Sequence, residues 1–312
     1  MVLGSKCDLH RHLCGSVSPS TVMGIMDRLG MDYDYDEILS GMVCNESNIG
    51  FKAFLDKFSV LNSLPWSPWA IDLSIKQICN DIRSEGVSKS GISFSIGKYV
   101  SGGLSPAAAV KIIANAFELH SGKDLSIGLM LSLQYHHSKA DQLACANLID
   151  DPDIDRSVCG LDLVGDEDYF DVDFYEPILD KWHEHGKICR AHVGEMPGTS
   201  DNIFKSIVGL GVDRIAHGIQ ATDDVLKLAA DRRVCFDLAL HSNLATGAWP
   251  NLRTHPIKRM LDAGCAVTLN TDDPIQFSCT IDDEFRLAVA YGLINERQAF
   301  DIMSNARATS YI

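Results

Sequence analysis

Along this chain, short apolar runs rich in β-branched residues alternate with longer segments whose apolar positions recur every three or four residues. The short runs fall near 6–12 (KCDLHRH), 91–96 (GISFSI), 126–133 (SIGLMLSL), 160–165 (GLDLVG), 187–193 (KICRAHV), 213–217 (DRIAH), 233–240 (RVCFDLAL) and 265–271 (CAVTLNT). Several are nearly all apolar, as strands buried on both faces are. Between them lie helical patterns such as PAAAVKIIANAFELH, YEPILDKWHEH, DNIFKSIVGLG, ATDDVLKLAADR and HPIKRMLDAG. Several open on a capping residue or proline and close on glycine. Eight such units predict an α/β fold, a closed (β/α)8 TIM barrel in preference to an open doubly wound sheet. The stretch 17–88 breaks the rhythm with helical patterns of its own, FKAFLDKFSVLNSL and WAIDLSIKQICNDIRSEG. It reads as a helical insertion after the first strand, a lid over the barrel mouth. No Pro/Gly linker divides the chain, so 1–312 is expected to form a single domain.

Composition leaves this picture intact and removes several functions. With 46% apolar and 22% charged residues, the chain is an ordinary globular one that buries a large core. The formal net charge of −15, without any basic run, argues against a nucleic-acid partner, whose phosphates would repel it. No apolar run approaches the roughly 20 residues of a membrane span. The N-terminus MVLGSKCDLH has no secretory apolar core or cleavage site. Ten scattered cysteines without a C-x-x-C pair fit reduced thiols, and the expected compartment is cytoplasmic.

In a (β/α)8 barrel, chemistry collects where strands end and βα loops begin. The first strand ends in His10 and His12, and the i, i+2 spacing on a strand puts both imidazoles on one side. The fifth ends in AHVGE, with His192 and Glu195; the sixth in AHG, with His217; the eighth in NTDDP, with Asp272 and Asp273. Three histidines and a carboxylate suit a Zn²⁺ ion with room for a water, whose pKa the ion lowers by several units. That leaves acid, base and orienting work to the other groups. Alone, an H-x-H pair or a doubled aspartate also has an ordinary reading, a core histidine or a turn carboxylate. Their joint fall at strand ends is what singles them out. The other histidines carry less. His183 and His185 complement a helix C-terminus, and His120 reads as a solvated helix end. His136 and His137 lack a carboxylate nearby in sequence, His255 precedes a helix-starting proline, and His241 is a possible rim contact.

The stretches LHRHLCGS, LDLVGDE (161–167), HVGE (192–195), RIAHG (214–218), SN (242–243) and TLNTDDP (268–274) fall in order at strand ends. In this the chain resembles the adenosine deaminase family of the amidohydrolase superfamily, from Lys6 to the C-terminus. The resemblance implies hydrolysis of the 6-amino group of a purine with release of ammonia, and one zinc per chain. Carried over residue by residue, His10, His12, His192 and Asp272 are the zinc ligands. Glu195 protonates ring N1, His217 orients the attacking hydroxide, and Asp273 holds N7. The backbone N–H of Gly165 meets N3, and Asp162 and Cys14 are further substrate-binding candidates.

Other positions depart from the family. Cys14 stands where the family usually has Asp, a carboxylate that bonds the ribose 5′-hydroxyl. In VSKSGISF, Gly91 and Ser93 replace a Glu and an Arg, Gln134 replaces an Arg after the third strand, and Ala239-Leu240 replaces Cys-Pro. The chain stops at Tyr311-Ile312, where relatives commonly continue. Loss of the Asp removes a like-charge repulsion, so a 5′-monophosphate becomes admissible. Arg11, Lys52, Lys57 and Lys89 are candidates to pair with phosphate at the mouth, although ordinary solvated surface also accounts for them. The expected partner is a small purine nucleoside or nucleotide. Alternatives are a deaminase of another aminated purine, such as adenine or an aminofutalosine-like nucleoside, and a non-catalytic nucleoside-binding relative. A dinuclear hydrolase is disfavoured, because LDLVGDE offers no bridging lysine on the fourth strand.

Overall fold

The computed structural model describes residues 4–44 and 46–312, so the first three residues of the terminus read for a secretory signal lie outside it. Eight strands, β1 (Lys6–His12), β2 (Val87–Phe94), β3 (Ser126–Gln134), β4 (Gly160–Val164), β5 (Ile188–Val193), β6 (Arg214–His217), β7 (Cys235–Leu238) and β8 (Ala266–Leu269), pair in parallel in chain order. The ring closes just past β8. Asp272 N–H donates to His10 O and His12 N–H donates to Asp272 O, 2.9 Å each. The barrel expected from the alternating pattern is the barrel observed.

Two boundaries differ from expectation. β2 begins at Val87, four residues before its apolar run, because the polar VSKS segment pairs with both neighbours, Cys7 opposite Lys89 and Lys89 opposite Ser126. The 17–88 insertion also divides. Its helices are α1 (Pro19–Leu29), α2 (Tyr35–Met42), α3 (Phe51–Asp56), α4 (Ser59–Ser63) and α5 (Pro68–Ser84). α5 buries Ile71, Ile75, Ile78, Cys79 and Ile82, a stripe at helical spacing, and packs on β2 and on α7 (Pro106–Ser121). It belongs to the outer ring. Between β2 and α7 lies the short helix α6 (Gly97–Ser101).

The barrel interior holds fully buried charges. Arg190 on β5 donates from Nη2 to Asp162 Oδ2 (2.7 Å) and Ser93 Oγ (2.6 Å), and from Nη1 to Leu9 O (3.0 Å) and Asp237 Oδ2 (3.3 Å). Asp237 also accepts from Arg214 Nε (3.0 Å) and Thr268 Oγ1 (2.7 Å). Burial alone would raise the Asp237 pKa, but Arg214 and Arg190 prevail and hold it down to about 2. A buried charge is tolerable when paired and hydrogen-bonded in this way.

At the foot of the barrel, Tyr311 Oη donates to Leu9 O at 2.7 Å. A Cβ on residue 91 would lie 1.9 Å from that oxygen, so Tyr311 occupies the space a side chain at Gly91 would need. The cation absent at Ser93 is supplied from β5, since Arg190 reaches the Ser93 hydroxyl itself. All ten cysteines are free, and no helix among the described residues is long and apolar enough to cross a membrane.

Candidate active site

The strand ends converge as their sequence positions require. The Nε2 atoms of His10, His12 and His192 lie 2.9–3.3 Å from one another, and Asp272 Oδ1 is 3.2 Å from His10 Nε2 and 3.1 Å from His12 Nε2. Donors bound tetrahedrally at 2.0–2.1 Å stand about 3.3 Å apart, so these four atoms already form the cage a small divalent cation takes. The orientation of His192 is fixed from behind. His192 Nδ1–H donates to Asp162 Oδ1 and Leu163 O, 3.1 Å each, which leaves the Nε2 lone pair facing inward. Asp272 sits at φ 63°, an uncommon conformation for a non-glycine residue, and so does His217.

His217 is held by a chain of three donors. Ile257 N–H donates to His255 Nδ1 (3.3 Å), which puts the His255 proton on Nε2, 3.2 Å from Asn243 Oδ1. Asn243 Nδ2 then donates to His217 Nδ1 (3.2 Å). The His217 proton is therefore on Nε2, 3.7 Å from Glu195 Oε2 and 3.8 Å from Asp272 Oδ2. Burial pushes His217 well below the ordinary histidine range and His255 down to about 3, so both rings are neutral.

Glu195 and Asp273 complete the site. Burial, then the neighbouring Asp272, Glu167 and Asp273 carboxylates, raise Glu195 well above its usual range. Burial and Asp272 do the same to Asp273. Both shifts favour the protonated acid. Glu167 sets the Glu195 loop, accepting from the backbone N–H groups of Gly194 (2.7 Å), Glu195 (3.0 Å) and Met196 (3.0 Å). Asp273 Oδ1 is buried and unpartnered among the described residues. It packs so close to Gly15 that a Cβ there would lie 1.8 Å away, which is why glycine follows the His-x-His strand.

One cavity of about 310 Å³, at the small end of the range for ligand sites, opens onto this site. Its inner end is His12, His192, His217, Glu195, Asp272 and Asp273; Cys14, Ser93, Gln134, His136 and Gly165 continue the wall. Phe51, Phe54, Leu55, Phe58 and Asn62 cover it, so the lid proper is α3, α4 and the turn between them.

Several sequence expectations do not survive. Asp162 is fully buried beneath His192 and Arg190 and lies outside the cavity wall, so it orients the His192 ring and does not reach the cavity. Arg11 is buried against Asp8 and Glu85, and Lys89 reaches Ile312 O at the foot of the barrel. Lys57 caps Ser40 O across the insertion and Lys52 is exposed, so none of the four lines the cavity. His241 is outside it too, its Nδ1 2.7 Å from Glu284. Sequence reasoning missed Lys98 and set aside His255 and His136, the last of which lines the cavity. The roles of Asn243 and Glu167 lay unread inside the SN and LDLVGDE stretches.

A (β/α)8 barrel whose C-terminal rim carries a cage of three histidines and one aspartate, with two acids beside it whose pKa values are raised by burial, has the layout of a hydrolytic metalloenzyme site. The chain belongs to the adenosine deaminase family of the amidohydrolase superfamily: the family model described as "Adenosine deaminase" matches residues 5–312. It is similar to an adenosine deaminase of Clostridium acetobutylicum, 27% identical over 286 residues, 90% of this chain and 85% of that one. Among solved structures, an adenine deaminase from Arthrobacter aurescens superposes with a TM-score of 0.88 at 22% identity, covering 98% of this chain and 94% of the other. An Arabidopsis N6-mAMP deaminase gives 0.86 at 19% identity, over 99% and 93%. At those identities the two structures speak for the fold.

Proposed function

We propose that the protein is a zinc-dependent hydrolytic deaminase of a 6-aminopurine nucleoside or nucleotide, exchanging the ring amino group for the oxygen of water and releasing ammonia. The observation that carries this reading is the meeting of the His10, His12, His192, Asp272 cage with the protonated Glu195 on one cavity wall. Mixed imidazole and carboxylate donors in a tetrahedral cage suit zinc. An ion held there supplies Lewis acidity, lowering the pKa of a water by several units.

The chain's own residues do the rest. Glu195, kept protonated by burial and neighbouring carboxylates, donates to ring N1, so that C6 becomes electrophilic. N7 is an acceptor, and Asp273, also raised, has the proton to donate to it. Neutral His217 offers Nε2–H at the inner end and orients the attacking oxygen. The N–H of Gly165 takes N3. The lid phenylalanines cover the ring and exclude bulk water.

The test is a panel. Zinc-loaded protein is incubated with adenine, adenosine, deoxyadenosine, AMP and dAMP, and ammonia release is followed. Release from a nucleoside or nucleotide supports the reading. Release from adenine alone moves the substrate class, and no release from any of them ends it.

A further inference from the structure

The nucleobase accounts for the inner end of the cavity and leaves the wall at Cys14 without a chemical reason. Beside it stands a cation. Lys98, on α6, places Nζ 2.6 Å from Cys14 Sγ. Its ammonium lies 5.1 Å from the ring centre of Trp66 and 5.3 Å from that of Tyr99, both rings themselves buried. Lys6, Lys111, Lys139, Lys181, Lys187 and Lys258 each pair with an aspartate. Among the described residues no carboxylate pairs with Lys98, although the chain carries an excess of fifteen negative charges. A half-buried ammonium with three donors meets only a thiol, which is a weak acceptor, and two aromatic faces.

We propose that Lys98 anchors a phosphate monoester on the substrate's 5′ carbon, making this a nucleotide deaminase. The proposal rests on the deaminase reading above. With N1, N7 and N3 engaged by Glu195, Asp273 and Gly165, the substituent on N9 has the remaining wall to follow, past Cys14 and under Asn62 and the lid phenylalanines. An anion travelling that way leaves the carboxylates of the inner end behind and meets the unpaired ammonium. Position 14 carries no carboxylate to pair with the lysine or to repel the phosphate. Trp66 and Tyr99 flank the ammonium itself, a placement that limits the side-chain freedom lost when the anion binds.

The experiment compares kcat/KM for AMP and adenosine in the wild-type protein, Lys98→Met and Lys98→Arg, with binding of IMP and inosine measured by calorimetry. Wild type is expected to favour AMP. In Lys98→Met the AMP-to-adenosine ratio should fall about 10- to 100-fold, mainly through KM, the scale of a charge-assisted hydrogen bond. Lys98→Arg should recover most of it. IMP should bind more tightly than inosine in wild type and lose that advantage in Lys98→Met. An unchanged ratio in Lys98→Met overturns the assignment. Wild type that deaminates adenosine but not AMP overturns it while leaving the deaminase reading intact; wild type that deaminates neither overturns both.

Discussion

At and just behind the inner end of the cavity, His10, His12, His192 and Asp272 stand on or just past strand ends, with His192 aimed by the buried Asp162 and Asp272 tied to the first strand through its backbone. At the other end, Cys14 follows the same first strand but meets Lys98 from α6 and shares the cavity wall with phenylalanines from α3. On the proposed reading, the first set is constrained by the geometry of an ion and by the two acids beside it. No member can change without losing the cage or the proton. The second set is constrained only by what fills the space, so an acceptor can become a thiol provided a neighbour changes with it. The two ends of one pocket therefore carry different information, the inner end about reaction type and the outer end about substrate.

Breaking the inner end should have the largest effect. His12→Ala opens the cage, and its loss of metal affinity should exceed the ~10- to 100-fold typical of losing a group that merely orients a ligand. Metal content after dialysis, read beside ammonia release, checks this. Full zinc and full activity in that variant would remove His12 from the site.

At the outer end the expected change is smaller and selective. Cys14→Asp puts a carboxylate beside Lys98 and turns the ammonium away from substrate. Transition-state binding of AMP and dAMP should weaken by about 1–3 kcal/mol, the scale of a partly buried charge contact, while the free nucleosides hold or gain. Equal changes in kcat/KM for all four would mean that Cys14 tunes the barrel and not the 5′ end. The smallest effect is expected at the foot of the barrel. Tyr311→Phe removes the hydrogen bond to Leu9 O, which keeps its Arg190 partner, so stability should fall by about 0.5–1.5 kcal/mol in denaturant titrations without a change in substrate ratio. No loss of stability would mean that the hydroxyl only fills space above Gly91.

The same contrast explains what the sequence could reveal. Strand order, closure and the inner-end residues were legible because the signals are local: an apolar run, then a histidine or aspartate at its end. The second strand was harder, because VSKS is polar and its pairing depends on neighbours far along the chain. α5 read as lid because helical periodicity says nothing about which surface a helix covers. Gly91 and Ser93 looked like losses until Tyr311 and Arg190, more than two hundred and nearly a hundred residues away, were seen in their place. Asp162 read as a substrate-binding candidate on the family resemblance, and position in a sequence does not show how deep a side chain lies. His255 holds His217 only through Asn243, and Lys98 matters only through Cys14. Neither pairing has a sequence signature.

The central claim is that one protonated carboxylate beside a metal cage performs the deamination, and Glu195→Gln tests it most directly. Glutamine keeps the shape and leaves the cage intact, but it cannot cycle a proton. Zinc content and ammonia release from the best substrate are measured on the same preparation. The account predicts one zinc per chain and turnover lowered by roughly 10²-fold or more. Undiminished turnover, or loss of zinc with activity returning on reconstitution, would contradict it.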